Sequence, residues 1–272
     1  MERLRFDNLD QHLLLKNGNF LYRVPFRDGF AVLKVYFGTR TWWEYARKSL
    51  GNVLLCNQTS FMPRARRRTE LDCLKLWRDA GFRVFDVYED VVVDGLPEDG
   101  YALFEYFPGV KFVQYFADRS VDLEHKLAAW KRFLPVWHRR HQLAIERREP
   151  RLIHENGDFK HVMIDGDKFL FFDFEMCFRS RRRVREFVAR EILAYLKSMS
   201  KVMPPQESDA MIAQAVKSYP DRSLLEWTWN FAFNNPNPVL RLARYLDRNL
   251  KARNQKPTSK YNVALKLREM LA

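Results

Sequence analysis

Residues 152–174 read LIHENGDFKHVMIDGDKFLFFDF, and this stretch decides the fold. A polar loop holding Asp158 leads into a short apolar strand, Val162 to Ile164. Gly166 turns the chain, and a second apolar strand, Phe169 to Phe172, ends at Asp173. Two short strands joined by a tight turn predict a β-hairpin. One carboxylate precedes the first strand and another follows the second, so both acids are expected at one end of the hairpin. Aspartate is also an ordinary turn and strand-end residue, so the pair alone suits a plain hairpin as well as a reacting centre. Phosphoryl transfer uses such a pair: one carboxylate orients the attacking hydroxyl and another holds the metal ion bridging the nucleotide phosphates.

A third ionic group lies upstream. Phe30-Ala31-Val32-Leu33-Lys34-Val35-Tyr36 is rich in β-branched and aromatic residues and follows an Asp28-Gly29 turn, which predicts a strand with Lys34 at its middle. FAVLKVY fits the V-A-I-K pattern, in which a strand lysine meets the α/β-phosphates and a glutamate of the next helix. That glutamate is expected to be Glu70, early in a helix over about residues 66–80 with Leu71, Leu74, Leu76 and Trp77 as its apolar stripe and Gly81 as its stop. Glu44, in the upstream WWEYARK, is the rival. Either acid could equally serve as a surface i,i+4 charge.

Composition bounds the partners. The 272 residues are 47% hydrophobic and 15% aromatic, enough for one two-lobed unit or two small domains. Cys56, Cys73 and Cys177 are odd in number and widely spaced, which predicts neither a disulfide framework nor a CxxC metal site. MERLRFDNLD has no apolar core of a signal peptide, and no run of about 18 apolar residues occurs, so a cytoplasmic protein is expected. The net charge of +13 calls for a polyanion. Basic clusters stand at Arg64 to Arg68, at Arg139-Arg140 and, most densely, in RSRRRVR from Arg179 to Arg185, six residues beyond Asp173. A solvated basic face is the plain alternative for each.

Along the chain, strands are expected over about residues 11–36, 82–93 and 101–105, with a weak candidate nucleotide flap at Gly18 and a helix near Trp42 to Leu50. FEYFPG breaks the last strand and predicts a boundary near 107, giving a strand-rich part (1–107) and a helical part (108–272). Helices are expected near 111–118, 121–145, 184–200, 206–218, 223–233 and 237–252.

This order resembles the α+β, two-lobed protein-kinase-like fold: a small antiparallel-sheet lobe with a glutamate helix, then a larger helical lobe. NGDFK (Asn156 to Lys160) resembles the H-R-D-L-K catalytic loop, and Asp173-Phe174-Glu175 resembles D-F-G. Within that superfamily the chain is most similar to bacterial lipopolysaccharide core sugar kinases, the Kdo and heptose kinase family. The basic, Trp-containing FAVLKVYFGTRTWWEYARKSL, the helix and turn of TELDCLKLWRDAGFRV, and FRSRRRVREFVAREILAYLKSM carry that similarity.

The resemblance implies a kinase using ATP with Mg2+ or Mn2+. Lys34 would hold the α/β-phosphates, positioned by Glu70; Glu105 and Tyr106 would flank the adenine through backbone groups. Asp158 would take the proton of the acceptor hydroxyl, Lys160 would offset charge on the migrating phosphoryl group, and Asp173 would bind the metal. Arg179, Arg181, Arg182 and Arg183 would contact an acidic acceptor, a lipopolysaccharide core glycolipid, with peripheral contact to the inner face of an anionic membrane. Nucleic acid is not an expected partner.

The chain departs from the pattern in three places. Asn156-Gly157 replaces the usual histidine or arginine pair. Met163 stands five residues after Asp158, where a second metal ligand is usual; with a loop two residues shorter, His161 takes that place, as a ligand or as a hydrogen-bond partner of the loop. Glu175 replaces the glycine of the triplet. A kinase-like binding protein without turnover and an RNA-associated kinase are therefore the alternative readings. Finally, in PVLRLARYLDRNLKARNQK, Leu240, Leu242, Tyr245, Leu246 and Leu250 are expected on one helix face, either packed on the helical lobe or laid on anionic lipid.

Overall fold

The computed structural model describes residues 2–272, and the class is α+β, as the sequence predicts. The chain divides into two compact units: residues up to Gly109 with Leu170–Arg179, and Val110–Phe169 with Ser180–Ala272. The expected boundary near 107 is a single cut. In the structure the segment carrying Asp173 counts with the first unit, although the chain reaches it from the second.

In the first unit the elements are β1 (Glu2–Leu4), β2 (Leu13–Lys16), β3 (Phe20–Phe26), β4 (Gly29–Val35), α1 (Trp42–Leu54), α2 (Pro63–Asp79), β5 (Arg83–Val84), β6 (Val91–Val93) and β7 (Tyr101–Glu105). An antiparallel sheet runs in the order β2-β3-β4-β7, while β1 and β6 pair in parallel. Period-2 alternation buries Tyr22, Val24 and Phe26 of β3 with Ala31, Leu33 and Val35 of β4 against Val91, Val93, Tyr101 and Leu103. Lys34 stands between Leu33 and Val35 and so points to the other face, in register with Leu21 and Ala102.

Helix α2 starts with Pro63 at its first position, where a missing N–H is harmless. Glu70, Cys73, Leu74 and Trp77 form its buried face; the expected Leu71 and Leu76 lie half-buried at the margins. Gly81, at φ +80, ends the helix, with its N–H on the Arg78 carbonyl and that of Phe82 on Trp77. Trp77 packs at ring distances of 5.2 Å from Phe171 and 4.5 Å from Phe174, which anchors the segment around Asp173 to this helix.

The second unit holds β8 (Val110–Lys111), α3 (Phe112–Ala117), α4 (Leu123–Glu146), β9 (Val162–Asp165), the start of β10 (Lys168–Phe171), then α5 (Val184–Val202), α6 (Pro205–Ser218), α7 (Arg222–Ala232), α8 (Pro238–Leu250) and α9 (Lys260–Leu271). Gly166 makes the β9–β10 turn at φ +55, a left-handed conformation that costs glycine little. The strand β8 pairs antiparallel with β9, and the end of β10 pairs in parallel with β5. The core is aromatic: Phe112, Trp130, Phe133, Trp137, Phe159, Phe169 and Tyr195 are all buried.

Two expectations need correction. Helix α9 went unread; Ser259 caps it, and Tyr261, Ala264, Leu267 and Leu271 bury one face. In α8, Leu240 is turned about half a circle from Leu242, as 3.6 residues per turn requires, so the five residues do not share one face. The helix buries no residue: Val239, Leu242, Tyr245, Leu246 and Leu250 are exposed, and packing of that stripe on the unit is not observed.

Candidate active site

The first unit gathers five charged side chains. Lys34 is only 7% exposed, and its Nζ lies 2.7 Å from Glu70 Oε2, 2.7 Å from Glu175 Oε1 and 3.8 Å from Asp173 Oδ1. The Tyr36 hydroxyl donates to Glu70 Oε2 at 2.7 Å. Glu70, not Glu44, is therefore the partner of Lys34. Glu44 instead closes a capping box at the start of α1, accepting from the Thr41 N–H at 2.8 Å.

Arg66, one helical turn before Glu70, is completely buried. Its Nη1 donates to Glu175 Oε2 at 3.0 Å and to the Gly18 carbonyl at 3.1 Å, and its Nη2 to the Tyr36 carbonyl at 2.5 Å. The Asn19 amide also donates to Glu175. The turn at Gly18 is thus tied to the ionic cluster by its backbone. Arg66 belongs to the basic cluster Arg64 to Arg68, for which a polyanion contact or a solvated face was expected; instead it is buried against Glu175, whose own place in the cluster the sequence did not indicate.

Two cations face three carboxylates, so the cluster carries surplus negative charge. Burial alone would lower the lysine, but Glu175, Glu70 and Asp173 outweigh it and raise Lys34 above its ordinary value. Burial, together with the carboxylates of Glu175 and Asp173, raises Glu70 against the opposing pull of Lys34. Asp173 sits at φ +72, a left-handed conformation uncommon for a residue with a Cβ, and such strain is characteristic of functional positions.

Surplus carboxylate oxygen is the donor chemistry that suits a magnesium nucleotide, which brings most of its own oxygen ligands and needs only one or two protein carboxylates. Among the described residues no three His, Cys, Asp or Glu side chains form a metal cage by themselves.

At the proposed adenine end, the Glu105 N–H donates to the Asp86 carbonyl at 2.9 Å, and the Glu105 carboxylate binds Arg83 at 2.5 Å. The Tyr106 ring lies beneath the Arg23 guanidinium, 4.7 Å away. A cavity of about 300 Å³ lined by Arg67, Leu71, Tyr88 and Tyr101 is separate from the charged cluster and includes none of its side chains.

In the second unit, Asp158 caps the 3-10 turn Phe159–His161 and is half-buried. Its Oδ1 accepts from the Ser198 hydroxyl at 2.7 Å and from the Lys160 N–H at 3.0 Å. The Lys160 side chain is exposed. His161 is buried, with Nδ1 2.9 Å from the Asn156 carbonyl, the hydrogen-bonding role that was the alternative to metal ligation.

Beneath this loop lies a buried scaffold. Glu191 accepts from Arg140, from Trp137 Nε1 at 3.3 Å and from the His154 N–H at 3.0 Å. Gly157 has no room for a side chain, since a Cβ there would stand 2.8 Å from Glu191 Cγ and 2.9 Å from Tyr195.

Of the basic run, Arg179, Arg181 and Arg182 are exposed, whereas Arg183 is paired with Glu186 at 2.7 Å.

No protein-family profile and no curated protein sequence matches the chain. Among solved structures, "WaaP in complex with acyl carrier protein" is similar at 13% identity, covering 79% of this chain and 85% of that one, with a TM-score of 0.38. A variant of the Mycobacterium tuberculosis PknI kinase domain is similar at 16% identity over 96% and 94% of the two chains, again with a TM-score of 0.38. At this level of overlap no residue role transfers from either protein.

Proposed function

We propose that the chain is an ATP-dependent phosphotransferase that moves the γ-phosphate to an alcohol, with a sugar hydroxyl of lipopolysaccharide core as the acceptor. The buried Lys34–Glu70 pair, with Asp173 3.8 Å from the same ammonium, carries this reading. Lys34 and Arg66 supply positive charge for the nucleotide phosphates. Asp173 would hold Mg2+ or Mn2+, with Glu175 as a second carboxylate nearby. Such an ion, when bound, would supply positive charge that offsets the charge developing on the phosphates.

Asp158, fixed by Ser198, would orient the acceptor hydroxyl and take its proton, and Lys160 would offset charge on the phosphoryl group in transit. Glu105 and Tyr106 would frame the adenine. Since the Glu105 N–H is occupied by the Asp86 carbonyl, any adenine contact would fall to the other backbone groups of Glu105 and Tyr106. The exposed Arg179, Arg181 and Arg182, the net charge of +13 and the sequence resemblance support an acidic, lipopolysaccharide-type acceptor.

The test is γ-phosphate transfer from Mg- or Mn-ATP to extracted core lipopolysaccharide, run beside Lys34→Ala and Asp173→Ala. Each substitution is expected to lower transfer by at least about a hundredfold, the usual effect of losing one charge-stabilising group. Transfer that survives both would remove these residues from the reaction. A second reading, nucleotide binding without turnover, is favoured by Glu175 spanning both cations and by the thioether of Met163, a poor magnesium ligand. Tight nucleotide binding with no transfer to any acceptor would select it.

A further inference from the structure

Helix α8 is amphipathic in the reverse sense from an ordinary surface helix. A helix lying on a globular unit normally turns its apolar stripe inward. Here the polar side is the attached one. Asp247 binds Lys260 at 2.9 Å and accepts from the Tyr261 hydroxyl at 2.8 Å, while the Asp247 carbonyl accepts from Asn254 at 2.8 Å. The same Tyr261 hydroxyl reaches the Arg244 carbonyl at 3.1 Å, and the guanidinium groups of Arg244 and Arg248 stack on Phe231 and Phe233. These contacts hold the helix down by its charged face. Val239, Leu242, Leu246 and Leu250, spaced 3, 4 and 4 residues apart, are left facing outward at 73%, 59%, 43% and 76% exposure.

The charges around this stripe have one sign. From Pro238 to Lys256 the only acid is Asp247, which is turned inward, whereas Arg241, Arg253 and Lys256 are exposed. An apolar strip continued at its C-terminal end by the exposed Arg253 and Lys256 matches a surface that is negative outside and apolar just beneath, the structure of an anionic bilayer. Four apolar side chains on one helix fall well short of the roughly 20–30 residues a side that a stable protein interface uses, which argues against a second copy of the chain. In the first unit α1 has the same make-up: Trp42, Trp43, Leu50 and Leu54 are exposed beside Arg47, and tryptophan favours the membrane–water boundary.

We propose that α8 docks the chain onto an anionic lipid surface, its Leu242–Leu246 stripe entering the headgroup boundary while Arg253 and Lys256, just past the helix, meet lipid phosphates. This inference does not rest on the phosphotransfer reading. The test is co-sedimentation of the full chain with vesicles of phosphatidylcholine alone and of phosphatidylcholine with phosphatidylglycerol, beside the double variant Leu242→Ser, Leu246→Ser. Both side chains are exposed, so the circular dichroism spectrum and melting temperature should not change. Binding is expected only to the anionic vesicles, to weaken with added salt, and to fall at least about tenfold in the double variant. Equal binding by the double variant, equal binding to neutral vesicles, or no binding to either would each overturn the proposal. So would a wild-type dimer, by analytical ultracentrifugation, that the same variant converts to monomer, since the stripe's occupant would then be a second copy.

Discussion

The Glu175 carboxylate meets Lys34 at 2.7 Å and Arg66 at 3.0 Å. Those are the two cations proposed to meet the nucleotide phosphates, and Glu175 sets a negative charge against both. Removing its charge should leave Lys34 and Arg66 less well neutralised and more attractive to phosphate. Glu175→Gln is therefore expected to tighten metal-free ATP binding by about tenfold, which corresponds to about 1.4 kcal/mol and is readable by calorimetry. Unchanged affinity would mean that the phosphates bind elsewhere. The Lys34–Glu70 pair was legible in the sequence because strand alternation and a capped amphipathic helix are both local patterns. Arg66 was not legible, because an arginine within PRARRR has the same local signature whether it faces water or an acid 109 residues away.

The loop carrying Asp158 rests on α4 and α5 through one buried carboxylate. Burial opposes ionisation of Glu191, but Arg140 and His141 prevail and hold it down to about 2. Burial in turn holds His141 down to about 4, so the imidazole stays neutral even at 3.5 Å from Glu191, whose charge Arg140 already balances. Both folded-state values lie below the ordinary ones, so both groups lend stability at neutral pH that acid removes. The His141 share should fade as pH drops from about 6.5 towards 4, and the Glu191 share from about 4.5 towards 2. Urea midpoints measured between pH 7 and pH 3 should fall accordingly, and Glu191→Gln should flatten the lower window. At neutral pH the same substitution should cost about 3–5 kcal/mol, because the fully buried Arg140 loses the carboxylate charge that Glu191 sets against it. Gly157→Ala, which forces a methyl against Glu191 and Tyr195, should cost about 1–3 kcal/mol by thermal or urea unfolding. The sequence presented Gly157 only as an unusual residue before the aspartate; the reason for glycine lies in α5, more than thirty residues later.

For the whole chain, the charge of +13 is spread over sites with different fates. Arg66 and Arg140 are spent inside the units, Arg183 on Glu186, and Arg179, Arg181, Arg182, Arg241 and Arg253 remain exposed. A ligand that binds only the folded state raises stability by mass action. Mg-ATP at a hundredfold over its Kd should add about 2.7 kcal/mol and raise the melting temperature by several degrees. Lys34→Ala should abolish that rise; an equal rise in the variant would separate the nucleotide from this lysine.

By itself, the sequence determined the order of most strands and of the helices as far as α8, the hairpin bracketed by Asp158 and Asp173, and the lysine strand followed by a glutamate helix. Each is encoded by neighbours within a few residues, through backbone preference and apolar period. Only the tertiary structure decided that Arg66 and Glu175 complete the ionic cluster and that α8 turns its charged face inward. Those outcomes depend on which distant groups meet: a salt bridge forms where folding removes water from both partners, and a helix's inner face is chosen by what anchors it, here Tyr261 and Lys260 of a helix the sequence reading missed.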